Sequence, residues 1–324
     1  MDYEEFKSYV RKSMEEITGG TVEIYPIVKN NSLVLDGLTV REREKLLAAS
    51  PTIYLEPYFH AYEEGTPAPV LVSRILDVYE KRKQGPGIQP EQICDFEQMR
   101  KRIVFKLISR SRNQELLKKV PHRSFLDLEI VYYALFQGTE IPDATMLIED
   151  SHLKLWNTGE EALYDLAFCN TPRLLSGSVR GMDEVMEEMV LEDIEEEIRS
   201  RVPKEKGILK EEEMKRLSLE LLEQVRERQK RLPMYVLTNS RKLNGAACLL
   251  YEGMLEHCAK VLRGSFYILP SSIHEVLLMP CHGMYTPGEL SGMVQEVNAT
   301  QVSPEEILSD HVYIYRTELS KITM

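Results

Sequence analysis

The chain has 324 residues, 43% of them hydrophobic and 28% charged, with a formal net charge of -12. This length exceeds the usual single-domain size and the apolar fraction is enough for real cores, so the composition excludes a disordered or fibrous protein and predicts two or three compact units. The acidic balance excludes the broad basic footprint that neutralises DNA or RNA phosphates, so direct nucleic-acid binding is not expected.

No apolar run approaches the roughly 20 residues that span a bilayer, and no membrane partner is expected. Met1-Asp2-Tyr3-Glu4-Glu5 is acidic where a secretory signal is basic and then apolar, which predicts a cytoplasmic protein. Cys94, Cys169, Cys248, Cys258 and Cys281 are odd in number, scattered and without a CxxC pair. They fit reduced, mostly buried thiols and argue against a disulfide framework or finger-type zinc.

In chain order, Tyr3, Phe6, Val10, Met14 and Ile17 form a helical stripe that Gly19-Gly20 ends. Val22 to Val28 and Leu33 to Val40 are rich in β-branched residues and joined by Asn30-Asn31, whose side chains tolerate the left-handed backbone of a tight hairpin. Pro51 to Leu55 reads as a third strand, and Tyr58 to Lys83 as helix with a break at Pro67-Ala68-Pro69. These elements make an α-β-β-β-α unit over 1–84, followed by a Gly/Pro linker over 85–90.

A central α+β unit is expected over 91–181. It holds a helix over Gln89–Arg100, a strand over Ile103–Ser109, a helix from Asn113 halted by Pro121, an apolar run over Phe125–Phe136 that reads as a buried strand although its length also allows a helix, and a short strand over Met146–Ile148. Its amphipathic helix over Glu160–Cys169 is closed by Asn170-Thr171-Pro172. Residues 182–232 predict a charged helical hairpin, with stripes Met182, Met186, Met189, Ile194, Ile198 and Met214, Leu217, Leu221, Val225. A last α+β unit over 233–324 reads as strands at Met234–Thr238, Ala246–Tyr251, Phe266–Leu269, Glu275–Met279 and Val312–Tyr315. Its helices read at Met254–Leu262, Pro287–Val297 and Pro304–Leu308, and it can join 91–181 as one domain. Hairpins mixed with single crossover helices define the class as α+β, with mixed or antiparallel sheets and helices on one face.

Several segments together carry a family likeness: Ser50-Pro51-Thr52-Ile53-Tyr54-Leu55-Glu56, Arg112-Asn113-Gln114-Glu115-Leu116-Leu117, Val120-Pro121-His122-Arg123, Phe125-Leu126-Asp127-Leu128, Asn170-Thr171-Pro172, Ile268-Leu269-Pro270-Ser271-Ser272-Ile273-His274-Glu275 and Leu308-Ser309-Asp310-His311-Val312-Tyr313. The chain resembles the DUF5688 family of gut clostridial bacteria and their mobile elements over nearly its whole length, and its middle is distantly similar to the DUF1444 proteins of bacilli. Neither family supplies an activity. The resemblance implies a bacterial cytoplasmic protein accessory to mobile elements and assigns no catalytic residue.

The residues themselves offer two functional classes. As a hydrolase, Ser271 or Ser272 would attack, His274 would take the proton and Glu275 or Asp310 would orient the ring. Even spacing puts Ser272 and His274 on one strand face and Glu275 on the other, and no G-x-S-x-G elbow is present. The simpler reading of Pro270 to Glu275 is a strand connection whose hydroxyls bond to backbone. His257-Cys258 and Cys281-His282 are adjacent pairs that project apart, and no HExxH or glycine-rich phosphate loop occurs, so neither metal nor cofactor is expected. Asn244-Gly245-Ala246-Ala247 reads as a hairpin turn entering a packed strand.

As a binding protein, the chain offers an anion pocket from His122, Arg123 and Asp127, although a buried Asp127 capping nearby backbone amides is the more ordinary role. Asn170, Asn298 and Asp310 sit at predicted element ends, where such side chains cap; if these ends meet the Ser271–Glu275 turn they form a polar cleft. The row from Asp183 to Glu197, with Glu195, Glu196 and Glu197, is either a solvated helix face or an electrostatic arm for a protein partner. The preferred expectation is a non-catalytic binding or regulatory protein with that arm, of open oligomeric state, and the alternative is the hydrolase.

Overall fold

The computed structural model describes residues 1–41, 52–83, 90–136, 144–201, 234–281 and 285–324, with backbone alone for 82–83, 90, 144 and 192–201. Residues 85–89 of the linker expected over 85–90, the second helix of the charged hairpin and His282 lie outside the described residues, while Pro90 begins a helix. Two compact units emerge, one of residues 1–174 with 303–308, the other of 175–302 with 309–324.

The first unit begins with helix α1 (Tyr3–Thr18), which starts in a capping box. Asp2 Oδ1 accepts from the Glu5 amide at 2.8 Å and the Glu5 carboxylate accepts in return from the Asp2 amide at 3.0 Å. Gly19, at φ 67°, closes the helix in the left-handed region that glycine enters without strain. Strands β1 (Thr21–Val28), β2 (Val34–Arg41) and β3 (Ile53–Tyr54) form an antiparallel sheet, beside helices α2 (Glu56–Glu63) and α3 (Ala68–Lys83). Phe6, Val10 and Met14 of α1 and Leu71, Ile75 and Tyr79 of α3 are buried with Val22, Leu38 and Val40 of the hairpin in one apolar cluster. Ile17, the last member of the predicted stripe, is exposed.

The hairpin tip explains why the first unit is larger than 1–84. Asn31 and Ser32 both take φ 58°. That geometry presents the amides: Asn31 Nδ2 donates to the carbonyls of Pro304 at 2.8 Å and Ile307 at 2.7 Å, and Asn30 Nδ2 to that of Glu305 at 2.6 Å. Asn113 and Asn31 exchange bonds of 2.7 and 2.8 Å, tying the tip to the next sheet. The stretch Pro304–Leu308, which reads from sequence as a short helix, is a turn shaped by these contacts.

Short helices α4 (Pro90–Cys94) and α5 (Phe96–Met99) replace the single one expected there. Strand β4 (Ile103–Ser109) precedes helix α6 (Gln114–Leu117), and β5 (His122–Phe125), β6 (Leu128–Phe136) and β7 (Ala144–Leu147) complete the second sheet. The central β6 pairs antiparallel with β4, β5 and β7. The single strand expected over Phe125–Phe136 is thus a hairpin, turned at Leu126 with φ 57°. Helix α7 (Asp150–Trp156), absent from the sequence reading, ends at Asn157 in the left-handed region.

Helix α8 (Glu160–Leu174) runs through Asn170-Thr171-Pro172, the segment expected to close it. Thr171 Oγ1 donates to the Ala167 carbonyl at 2.6 Å and accepts from the Phe105 amide of β4 at 3.1 Å. Asn170 Nδ2 bonds the carbonyls of Arg100 at 2.8 Å and Ile103 at 3.0 Å. Tertiary bonding to β4 therefore holds the helix across its proline, and Asn170 acts as a buried strap, not a terminal cap. Asn170→Ala strands two carbonyls and is expected to lower stability by about 2 kcal/mol. The urea midpoint followed through Trp156 fluorescence checks this, and an unchanged midpoint would show that the strap contributes nothing.

The second unit is a six-stranded antiparallel sheet in the order β13-β12-β10-β11-β9-β8. Its strands are β8 (Gly177–Gly181), β9 (Tyr235–Asn239), β10 (Phe266–Leu269), β11 (Val276–Pro280), β12 (Tyr313–Arg316) and β13 (Lys321–Thr323). Because β8 pairs with β9 over Gly177–Gly181, these residues join the second unit instead of ending a central one at 181. Helix α9 (Met182–Arg201) follows β8, while α10 (Met254–Leu262) and α11 (Pro287–Thr300) come later. Leu290 and Val294 of α11 pack with Leu269, Met279 and Val312.

The run Ala246–Tyr251, expected as a strand, lies within and just after a 3-10 helix over Gly245–Leu250 whose residues 245–249 are buried. An apolar run without period suits either form, and the small residues Gly245, Ala246 and Ala247 allow the tight coil to sit against β9. All described strand pairs are antiparallel, so the protein is α+β with sheets of local hairpin connectivity.

Candidate functional site

The predicted Ser271–Glu275 segment forms the turn between β10 and β11 in the second unit. Ser272, 8% exposed, accepts at Oγ from the His274 backbone amide at 3.0 Å, and its own amide donates to the Glu275 carbonyl at 3.2 Å. These are the bonds of a compact turn. His274 meets the neighbouring loop: Nδ1 lies 3.2 Å from both the Asn244 amide and the Lys242 carbonyl. An unprotonated Nδ1 satisfies the amide and a protonated one the carbonyl, so the backbone holds the ring at this atom in either tautomer. Thr238 Oγ1 of β9 donates to the His274 carbonyl at 2.7 Å, and the Ala246 amide donates to the Ile273 carbonyl at 3.2 Å.

The loop on the other side is built by Asn239, which is 2% exposed. Its Oδ1 accepts from the amides of Arg241 and Leu243 at 3.0 and 3.2 Å, and its Nδ2 donates to the Leu243 carbonyl at 2.7 Å. Lys242 and Asn244 take φ 52° and 51°, each adopting the left-handed backbone that this folded-back loop requires. The structure thus brings Ser272 and His274 together with Thr238, Asn239 and Asn244 as a polar junction between two turns. Ser271 directs its amide to the Leu269 carbonyl at 2.9 Å.

Asn298 and Asp310 form a pair of their own in the second unit. Asn298 Nδ2 donates to Asp310 Oδ1 and to the Ser309 carbonyl, both at 2.9 Å, fastening α11 to the segment before β12. Asn170 belongs to the first unit, as do His122, Arg123 and Asp127.

His122 is exposed on β5, with Nδ1 2.9 Å from the Val120 carbonyl, and Asp127 is half-buried in the β5–β6 turn. Arg123 does not face an open anion pocket. Its guanidinium makes two bonds of 3.2 and 3.0 Å to Glu160 at the start of α8 and lies 3.8 Å from the Tyr164 ring centre. The bond to Glu160 raises the Arg123 pKa further. Tyr132 also donates to Glu160, and burial followed by that bond pushes its phenol well above the ordinary range. Glu160 and the two tyrosines were missed from sequence because they lie far from Arg123 along the chain.

Lys106 was also missed, although its signal is visible: one charge in the strand Ile103-Val104-Phe105-Lys106-Leu107-Ile108, all of whose other members are buried. Burial first, and the nearby Lys29 charge second, lower its pKa to about 8. Burial also raises the thiols of Cys248 and Cys258 to about 12, which keeps both protonated at neutral pH. Cys94 and Cys169 are exposed and Cys281 is half-buried, so two of the five thiols are buried.

Next to α9, the Arg180 guanidinium of β8 pairs with Glu188 at 2.7 Å and lowers the carboxyl pKa. Met186 and Met189, members of the predicted apolar stripe, are 37% and 56% exposed. The side chains of Glu195, Glu196 and Glu197 lie outside the described residues. Among the described residues, no helix is long and apolar enough to cross a membrane, and no three His, Cys, Asp or Glu side chains gather as a metal site.

Fold and side-chain arrangement define an α+β protein with two compact units and antiparallel sheets. The chain belongs to DUF5688, a family of unknown function, which it matches over residues 3–317. No curated protein and no solved structure matches it.

Proposed function

We propose that the chain is a non-catalytic binding protein of the cytoplasm, accessory to mobile elements, whose helix α9 receives the basic surface of a protein partner. The observation that carries this reading is the charge of α9: nine acidic residues and no basic one between Asp183 and Glu197. The fifteen residues from Asp183 to Glu197, within this twenty-residue helix, extend the charge over about 22 Å. A row of that length and sign attracts Lys- and Arg-rich surfaces, including those built to grip phosphate backbones. Exposed Met186 and Met189 add adaptable apolar contact within the same helix.

Proteins retained by the immobilised chain at physiological salt, identified by mass spectrometry, test the proposal. E195K/E196K/E197K is expected to lose the basic partner, whereas S272A and H274A keep it. Partner capture that ignores the charge reversal sinks the binding role of α9. Turnover of p-nitrophenyl acetate that disappears in S272A and H274A would instead establish the hydrolase.

A further inference from the structure

A cavity of about 380 Å³ opens in the first unit, lined by Gln98 of α5, Lys101, Arg102, Leu135 of β6 and Leu174 at the end of α8. Pockets that hold small molecules begin at about 300 Å³. Its chemistry is two-sided. Leu135 is 1% exposed and Leu174 is half-buried, so these two supply apolar wall, while Lys101 and Gln98 are exposed. The Arg102 guanidinium lies over the Phe136 ring, 5.3 Å from its centre, which restrains the planar group without neutralising it.

The charges at this cavity differ from those of four arginines elsewhere in the chain. Arg100, Arg110, Arg123 and Arg180 each face a glutamate. Among the described residues, neither Lys101 nor Arg102 takes part in an ion pair, although the chain carries twelve more negative than positive charges. A third cation stands beside them: Arg173 Nη2 donates to the Lys101 carbonyl at 3.3 Å and to Asn170 Oδ1 at 3.1 Å. Cations gathered at an apolar hollow, with no acid among the described residues that line it, suit a ligand that brings the negative charge and an apolar body together.

We propose that this cavity binds a small organic carboxylate, with its carboxylate between Lys101 and Arg102 and a compact apolar body against Leu135 and Leu174. The Gln98 amide offers a further donor to the carboxylate. Neither the acidic helix nor the Ser272–His274 turn takes part in this site.

Fluorine NMR titration of the full chain with 4-fluorobenzoate tests the assignment, with 4-fluorobenzyl alcohol as the neutral analogue and inorganic phosphate as the anion without an apolar body. The benzoate is expected to bind roughly tenfold more tightly than either comparator, as one charged hydrogen bond implies. R102M, which keeps a stem over Phe136, and K101M are each expected to weaken benzoate several-fold with an unchanged thermal transition. E97Q, which alters the neighbouring Arg100 pair outside the cavity lining, is expected to leave it unchanged. Equal affinity for the alcohol, equal affinity for phosphate, undiminished binding by both R102M and K101M, or no benzoate binding at millimolar concentration would each overturn the proposal.

Discussion

Gly245→Ala is expected to disrupt the second unit and leave the first intact. A Cβ at this position would collide with Thr238 Oγ1 and with the His274 carbonyl oxygen, and would stand 2.9 Å from the Asn239 amide nitrogen. Two of these three atoms are backbone, and both are held by hydrogen bonding: the His274 carbonyl accepts from Thr238, and Asn239 lies in β9 paired with β8. They cannot swing aside as a side-chain end would. The substitution therefore has to separate β9 from the Ser272–Glu275 turn, at about 3 kcal/mol or more.

Gly177→Ala provides the comparison, because the nearest atom to its Cβ is the flexible terminal methyl of Met254. Rotation of Met254 should hold the loss to about 1 kcal/mol. Hydrogen exchange read by mass spectrometry distinguishes the cases. In G245A, peptides covering β9, β10 and β11 should lose protection while those of β4 and β6 retain it. Equal protection in G245A and the unsubstituted protein would show that the junction yields more easily than its backbone contacts imply.

The elements legible in the sequence are those with a strong period or a cap. Phe6, Val10 and Met14 repeat at helical spacing, and the strands expected over Val22–Val28 and Leu33–Val40 are divided by Asn30-Asn31. The β5–β6 hairpin is hidden because its turn uses Leu126 in the left-handed region, where Gly or Asn would have signalled it. Pro172 signals a helix end, but the bonds from Asn170 and Thr171 to neighbouring backbone outweigh that local preference. Edge strands β8 and β13 lack the apolar alternation that marks a half-buried strand, β8 having glycine at both ends.

Site residues follow the same division. The local turn of Ser272 and His274 is readable because its bonds span two or three residues. The pairing of Arg123 with Glu160 and the cavity of Gln98, Arg102, Leu135 and Leu174 depend on strand register and on how α8 lies against the sheet. No spacing within a single segment encodes such a meeting. An isolated charge inside an apolar strand is the exception, since it marks its own conflict with burial.

Lys106 presents that conflict, and K106M is expected to stabilise the first unit at neutral pH. On β4, Lys106 shares a face with Val104 and Ile108, both fully buried, and it stands opposite Val131 of β6, also fully buried. Its ammonium loses hydration there and feels the Lys29 charge, so the folded pKa falls from 10.5 to about 8. Below pH 8 both folded and unfolded chains carry the proton, and the folded one bears the full penalty. Between pH 8 and 10.5 the unfolded chain binds more protons than the folded one, so wild-type stability rises with pH from this residue. Above that window both are neutral and the penalty is gone. Each pKa unit corresponds to about 1.4 kcal/mol, and the partial solvent access of Lys106 reduces the total to about 2 kcal/mol. Methionine keeps the length of the stem and removes the charge. Denaturation followed through Trp156, which lies in the same unit, should therefore show K106M more stable than wild type at neutral pH, with the difference closing by pH 10.5. A difference that stays constant across this window would mean that packing, not the charge, separates the two proteins, and a less stable K106M at neutral pH would mean that the ammonium has a partner that favours it.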